Sequence, residues 1–120
     1  MSVCLTDRFF KTGQDFLGVK YPFLCGAMTW VSTPELVAAI CNAGGFASLA
    51  GGNAPIDILQ EQIQRTRALT DKPFGVNFIT IAPAYKEQLQ LVKQLNLPFV
   101  IFAGSFPKQP EIELAKASGA

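Results

Sequence analysis

With 120 residues, 49% hydrophobic and 16% charged, the chain is long enough for a single domain, 1–120, around one core and too apolar to be disordered. Ten Lys+Arg against nine Asp+Glu leave a net charge of +1 with no block of like charge, which argues against nucleic acid or a membrane surface as a partner. No run nears the ~20 apolar residues that cross a bilayer, and the opening MSVCLTDRFFKTGQ lacks the basic-then-apolar pattern of a secretory signal.

Phe23-Leu24-Cys25, entered through Pro22 and ended by Gly26, reads as a short buried strand. Ser32-Thr33-Pro34-Glu35 carries two overlapping helix starts: a capping box from Ser32 to Glu35, and a Thr33 cap followed by Pro34. Leu36, Ala39, Ile40 and Ala43 then give one apolar face, and Asn42-Ala43-Gly44-Gly45 stops the helix with a glycine in the left-handed conformation. A second strand runs from Phe46 to Leu49 and closes on Gly51-Gly52-Asn53. A second helix follows from about Ile56 to Leu69, packed through Leu59, Ile63 and Thr66. Lys72-Pro73 leads into a third strand, Phe74 to Ile79, and Tyr85, Leu89, Val92 and Leu95 mark a third helix. Pro98 opens a fourth strand, Phe99 to Phe102, closed by Gly104-Ser105. Pro110 and Glu111 start a fourth helix through Ile112, Leu114 and Ala115.

Strand starts near 23, 46, 74 and 99 repeat at roughly 25 residues, the length of a compact βα unit in an eight-unit barrel of ~250 residues. The strands are apolar on both faces, as parallel strands covered by helices must be. The fold class is therefore α/β with a parallel sheet. Periodicity alone leaves a barrel and an open doubly wound sheet as alternatives.

In both, ligands bind at the carboxyl ends of the strands. The loops there read Gly26-Ala27-Met28, Ala50-Gly51-Gly52-Asn53, Asn77 with Thr80, and Ala103-Gly104-Ser105, all small or polar, so a flat ligand can approach the backbone. Asn77 interrupts the otherwise apolar Phe74-Gly75-Val76-Asn77-Phe78-Ile79. Its amide needs partners, either a polar ligand ring or a neighbouring loop's backbone. Cys25 ends the first strand with no basic neighbour and reads as a small hydrophobe. Trp30, Met28 and Tyr85 read as core or loop packing before ring contacts, and Lys20, Lys72 and Lys86 as solvated. Cys4, Cys25 and Cys41 form no CxxC pair, which fits reduced thiols in a cytoplasmic protein. There is no metal-ligand cluster, no P-loop and no histidine, so the commonest general base and zinc ligand are absent.

The run YPFLCGAMTWVSTPELVAAICNAGGFASLAGGNAP, with Thr66-Arg67 through TDKPFGVNF, resembles the nitronate monooxygenase (2-nitropropane dioxygenase) family, which includes FMN-dependent enoyl-acyl-carrier-protein reductases. The likeness is close over residues 17 to 80. It implies an FMN-binding TIM barrel, of which these four βα units are the N-terminal half. Gly26, Ala27 and Met28 correspond to the family's flavin-contacting first loop, and Asn77 to its third-strand asparagine. The implied activity is oxidation of alkyl nitronates with oxygen, or reduction of an enoyl thioester; the alternative is a non-catalytic βα binding module. The family's glycine-rich phosphate loops and catalytic histidine lie in the second half of the barrel, so no catalytic residue is assigned here. The expected partners are a small-molecule substrate and, because a half barrel exposes strand edges, a second copy or a C-terminal half-barrel chain.

Overall fold

Each strand enters through proline or glycine and leaves into a small-residue turn. In the computed structural model, which describes residues 5–120, this punctuation resolves into four βα units preceded by a helix. The elements are α1 (Leu5–Leu17), β1 (Leu24–Cys25), α2 (Pro34–Asn42), β2 (Phe46–Ala50), α3 (Ile56–Leu69), β3 (Gly75–Ile79), α4 (Tyr85–Gln94), β4 (Phe99–Ala103) and α5 (Gln109–Ala117). Cys4 lies outside the described residues.

The strands lie in the order β1-β2-β3-β4, and each neighbouring pair is parallel. A doubly wound sheet reverses its winding at a switch point, and none occurs among these strands. Consecutive parallel strands with a helix after each are the first four units of a TIM barrel. The periodicity placed the strands within a residue of where they start.

The sheet has two unlike faces. Ala47, Leu49, Val76 and Phe78 point outward into the core formed with Val37 and Cys41 of α2, Leu59 and Ile63 of α3, and Leu91 and Val92 of α4. The alternate residues point to the barrel interior. The ring of Phe46 lies 5.0 Å from that of Phe99 across Gly75, where a side chain would meet Phe46 at 3.2 Å. Phe46 thus fills the space that Gly75 leaves.

α1 was not read from the sequence. It lies at the amino-terminal ends of the strands, where Phe10 meets Phe23 edge-on at 5.7 Å and Phe16 meets Phe99 at 6.1 Å. Gly13 faces Pro22 so closely that a β-carbon there would fall 2.7 Å from the proline ring. One residue type permits that approach.

The face of α2 requires a correction. The expected stripe Leu36, Ala39, Ile40, Ala43 is half-buried to exposed, and the buried stripe is Pro34, Val37, Ala38, Cys41. Both have i, i+3, i+4, i+7 spacing in a helix apolar nearly all round, so periodicity admits two phases. Packing against β2 and α3 chooses between them, through Val37 and Cys41. Thr33, not Ser32, is the N-cap and accepts from the Leu36 N–H at 3.4 Å, while the Ser32 hydroxyl accepts from the Met28 N–H at 2.9 Å. The stop is as expected, with Gly44 at φ 96°.

Candidate functional site

The carboxyl ends of β2, β3 and β4 are tied into one surface by backbone and short side chains, with the loop after β1 beside them. The Gly51 N–H donates to the Asn77 carbonyl at 2.7 Å, joining the loops after β2 and β3. The Thr80 hydroxyl donates to the carbonyls of Ala103 (3.1 Å) and Ser105 (3.2 Å), joining those after β3 and β4. In the first loop the Met28 carbonyl accepts from both Val31 and Ser32, at 3.1 and 2.9 Å. That tight turn puts Trp30 at φ 64°, a conformation bulky residues rarely adopt, with the side chain 81% exposed.

The four residues picked out from the sequence sit on this surface. A β-carbon on Gly26 would meet nothing within 4 Å, so the backbone at the end of β1 is open to a ligand. Ala27 is half-buried and Met28 exposed beside it. Asn77 belongs to the interior row Ala50–Asn77–Ile101, two strands away. Its side chain is half-buried and, among the described residues, its amide makes no hydrogen bond. The second alternative for Asn77, a neighbouring loop's backbone, is therefore not what the fold uses: the bond from Gly51 goes to the main-chain carbonyl.

The structure adds residues that pattern reading passed over. Ser48 lies one interior row below Asn77, fully buried, with its hydroxyl unpartnered among the described residues. Gln88 on α4 is fully buried and reaches under β3 to the loop after β2. Its amide nitrogen donates to the carbonyls of Gly51 (3.2 Å), Gly52 (3.4 Å) and Ala54 (2.7 Å). Beside that loop a cleft of about 270 Å³ is lined by Thr29, Trp30, Ser32, Asn53, Gln62 and neighbouring small residues, with no charged side chain. None of Gly26, Ala27, Met28 and Asn77 lines it.

Three titratable groups serve structure, Cys41 at the amino-terminal side of the sheet and Cys25 and Tyr85 nearer the mouth. Cys25 packs against the core, and burial pushes the Cys41 thiol above its ordinary pKa, which keeps it protonated and unreactive. Tyr85 packs edge-on against the ring of Phe102, 6.5 Å between centroids. Its hydroxyl donates to Glu111 Oε2 at 2.9 Å, an oxygen that also accepts the Lys108 N–H at 2.7 Å at the start of α5. Burial, then the Glu111 carboxylate, raises the pKa of Tyr85 well above the ordinary phenol value. Among the described residues no cluster of His, Cys, Asp and Glu could hold a metal.

The nitronate monooxygenase family model matches residues 11–115. The chain belongs to the nitronate monooxygenase family. It is 48% identical over 81 residues to a nitronate monooxygenase of Paraburkholderia phytofirmans, covering 67% of this chain and 22% of that protein. It is 37% identical over 105 residues to an octahydro-indene-carboxyl-CoA dehydrogenase of Rhodococcus jostii, covering 88% and 30%. Among solved structures, FabK from Thermotoga maritima superposes with a TM-score of 0.84 at 33% identity, covering 90% of this chain and 34% of that one. The chain spans about a third or less of the length of these relatives.

The mouth suits the flavin that the family resemblance implies. A flat ring carrying donors and acceptors matches the unpartnered amide of Asn77 and the open backbone at Gly26.

Proposed function

We propose that this chain is the ring-binding part of an FMN-dependent oxidoreductase that oxidises alkyl nitronates with oxygen. The observation that carries this reading is Asn77. A family member places an amide on the interior face of β3, midway along Gly75–Ile79 and level with the last residue of β2, with no hydrogen bond from the described residues. Asn77 is half-buried, and a ligand ring that covered its amide without hydrogen-bonding it would cost a few kcal/mol.

Bound FMN would supply the electron transfer. The residues of this chain bind and orient: Asn77 hydrogen-bonds the ring edge, and Gly26, Ala27 and Met28 lie against it. No catalytic residue is assigned within the 120 residues, which contain no histidine. We assign the phosphate grip and the base to residues outside these four units. The small-molecule substrate shares the same mouth, and free thiols at Cys25 and Cys41 support a cytoplasmic setting. No helix among the described residues is long and apolar enough to cross a membrane.

Partners follow from the sheet. β1 and β4 each pair on one side within the described residues, and Phe23 beside β1 is 64% exposed. Further βα units, from a second copy or a C-terminal half-barrel chain, would close the barrel against these edges.

The test is to titrate the full chain with FMN, alone and with a candidate C-terminal half, then add an alkyl nitronate with oxygen or an enoyl thioester with NAD(P)H. Flavin binding with nitronate oxidation supports the proposal. Turnover of the enoyl thioester alone supports a second reading, an enoyl-acyl-carrier-protein reductase, which has the FabK likeness behind it. Absence of flavin binding in every mixture leaves the non-catalytic module.

A further inference from the structure

Gln88 is the only fully buried side chain among the described residues whose hydrogen bonds reach the loop after β2. Its amide nitrogen gives two N–H groups to three carbonyls, those of Gly51, Gly52 and Ala54. Three acceptors around one end of an amide fix which end it is, because the oxygen placed there would face three oxygens. The other end, Oε1, is buried beside Gly51 and has no donor among the described residues. The chain of contacts continues from Gly51, whose N–H is on the Asn77 carbonyl at 2.7 Å. Gly51 is also so near that a β-carbon on it would fall 2.5 Å from the same oxygen. Loop, strand end and Asn77 are thus held by one side chain from the outer helix layer.

We propose that Gln88 is a positioning residue for the mouth of the barrel: it holds the loop 51–54 and, through Gly51, sets the main chain of Asn77. It touches no ligand, and its effect on flavin binding rests on the reading above. The requirement is for a donor. A leucine fills the space without one. A glutamate supplies a donor only when protonated, and buried among carbonyls its carboxyl titrates well above the ordinary carboxylate range.

The experiment uses the full chain with Gln88→Leu and Gln88→Glu, read by amide hydrogen exchange and by FMN titration. In Gln88→Leu the amides of Gly51 and Ala54 should exchange at least tenfold faster while those of Val76 and Leu91 keep their rates, and FMN affinity should fall about tenfold. Gln88→Glu should match Gln88→Leu at about pH 8 and regain loop protection and affinity at about pH 5, a recovery that neither wild type nor Gln88→Leu shows. Unchanged exchange at Gly51 and Ala54 in Gln88→Leu overturns the proposal, as does a uniform rise that includes Val76 and Leu91. Local loss of protection with unchanged FMN affinity overturns the link to the site. If wild type binds no FMN, alone or with a candidate C-terminal half, the flavin reading fails, and the clamp stands or falls on the exchange data and the pH recovery of Gln88→Glu.

Discussion

At the scale of single residues, close approach and buried polar groups decide what the mouth tolerates. Gly51→Ala places a methyl group 2.5 Å from the Asn77 carbonyl, backbone against backbone. We expect about 1–3 kcal/mol of destabilisation, measured by urea unfolding, because neither side can yield without moving a strand end. Tyr85 sets a pH dependence. Its pKa is raised in the fold, so its contribution is complete below the ordinary value near 10 and is lost as the pH climbs through the raised value. Tyr85→Phe should cost about 1–2 kcal/mol at neutral pH and should flatten the fall of stability on the alkaline side. A variant with the same alkaline slope as wild type would contradict that. Asn77 was legible in the sequence because one amide in an apolar strand stands out. Gln88 was not: it stands on the face that Tyr85, Leu89 and Val92 define, but a glutamine there gives no sign of which carbonyls it reaches.

At the scale of elements, pattern reading succeeded where one period competed with no other. α3 has one apolar stripe in a polar helix, and Leu59, Ile63 and Thr66 are buried as its spacing requires. Leu59→Ala should cost about 2–5 kcal/mol, since its side chain is fully buried between helix and sheet. α2 is apolar nearly all round, so two phases fitted equally and only packing against β2 and α3 separates them. α1 escaped because it belongs to no βα repeat and its apolar face is used partly; Phe16 remains 74% exposed while its ring edge meets Phe99. Strand boundaries held because proline and glycine mark them physically: a proline cannot donate to the ladder, and a glycine releases the chain into the turn.

At the scale of the molecule, the strand order 1-2-3-4 makes a curved parallel sheet with helices outside, and it leaves an interior face of Phe46, Phe99, Ile101 and Asn77. Among the described residues β1 and β4 each pair on one side only, and these edges with that face predict association. Light scattering of the purified chain at micromolar concentration should show a dimer or larger species, and a monodisperse monomer would count against closure by further units. Periodicity alone could not choose barrel over open sheet, because both repeat strand and helix at one spacing; strand order decides it. The proposed function requires that the end of β1 and the interior face of β3 meet a flavin ring, with Asn77 as its hydrogen-bonding contact. The direct measurement is FMN titration of the chain and of Asn77→Ala, each alone and with a candidate C-terminal half, followed by quenching of flavin fluorescence. Saturable binding by wild type, weakened about tenfold in Asn77→Ala, is the predicted result. Equal affinity of the two, or no binding by wild type, would contradict it.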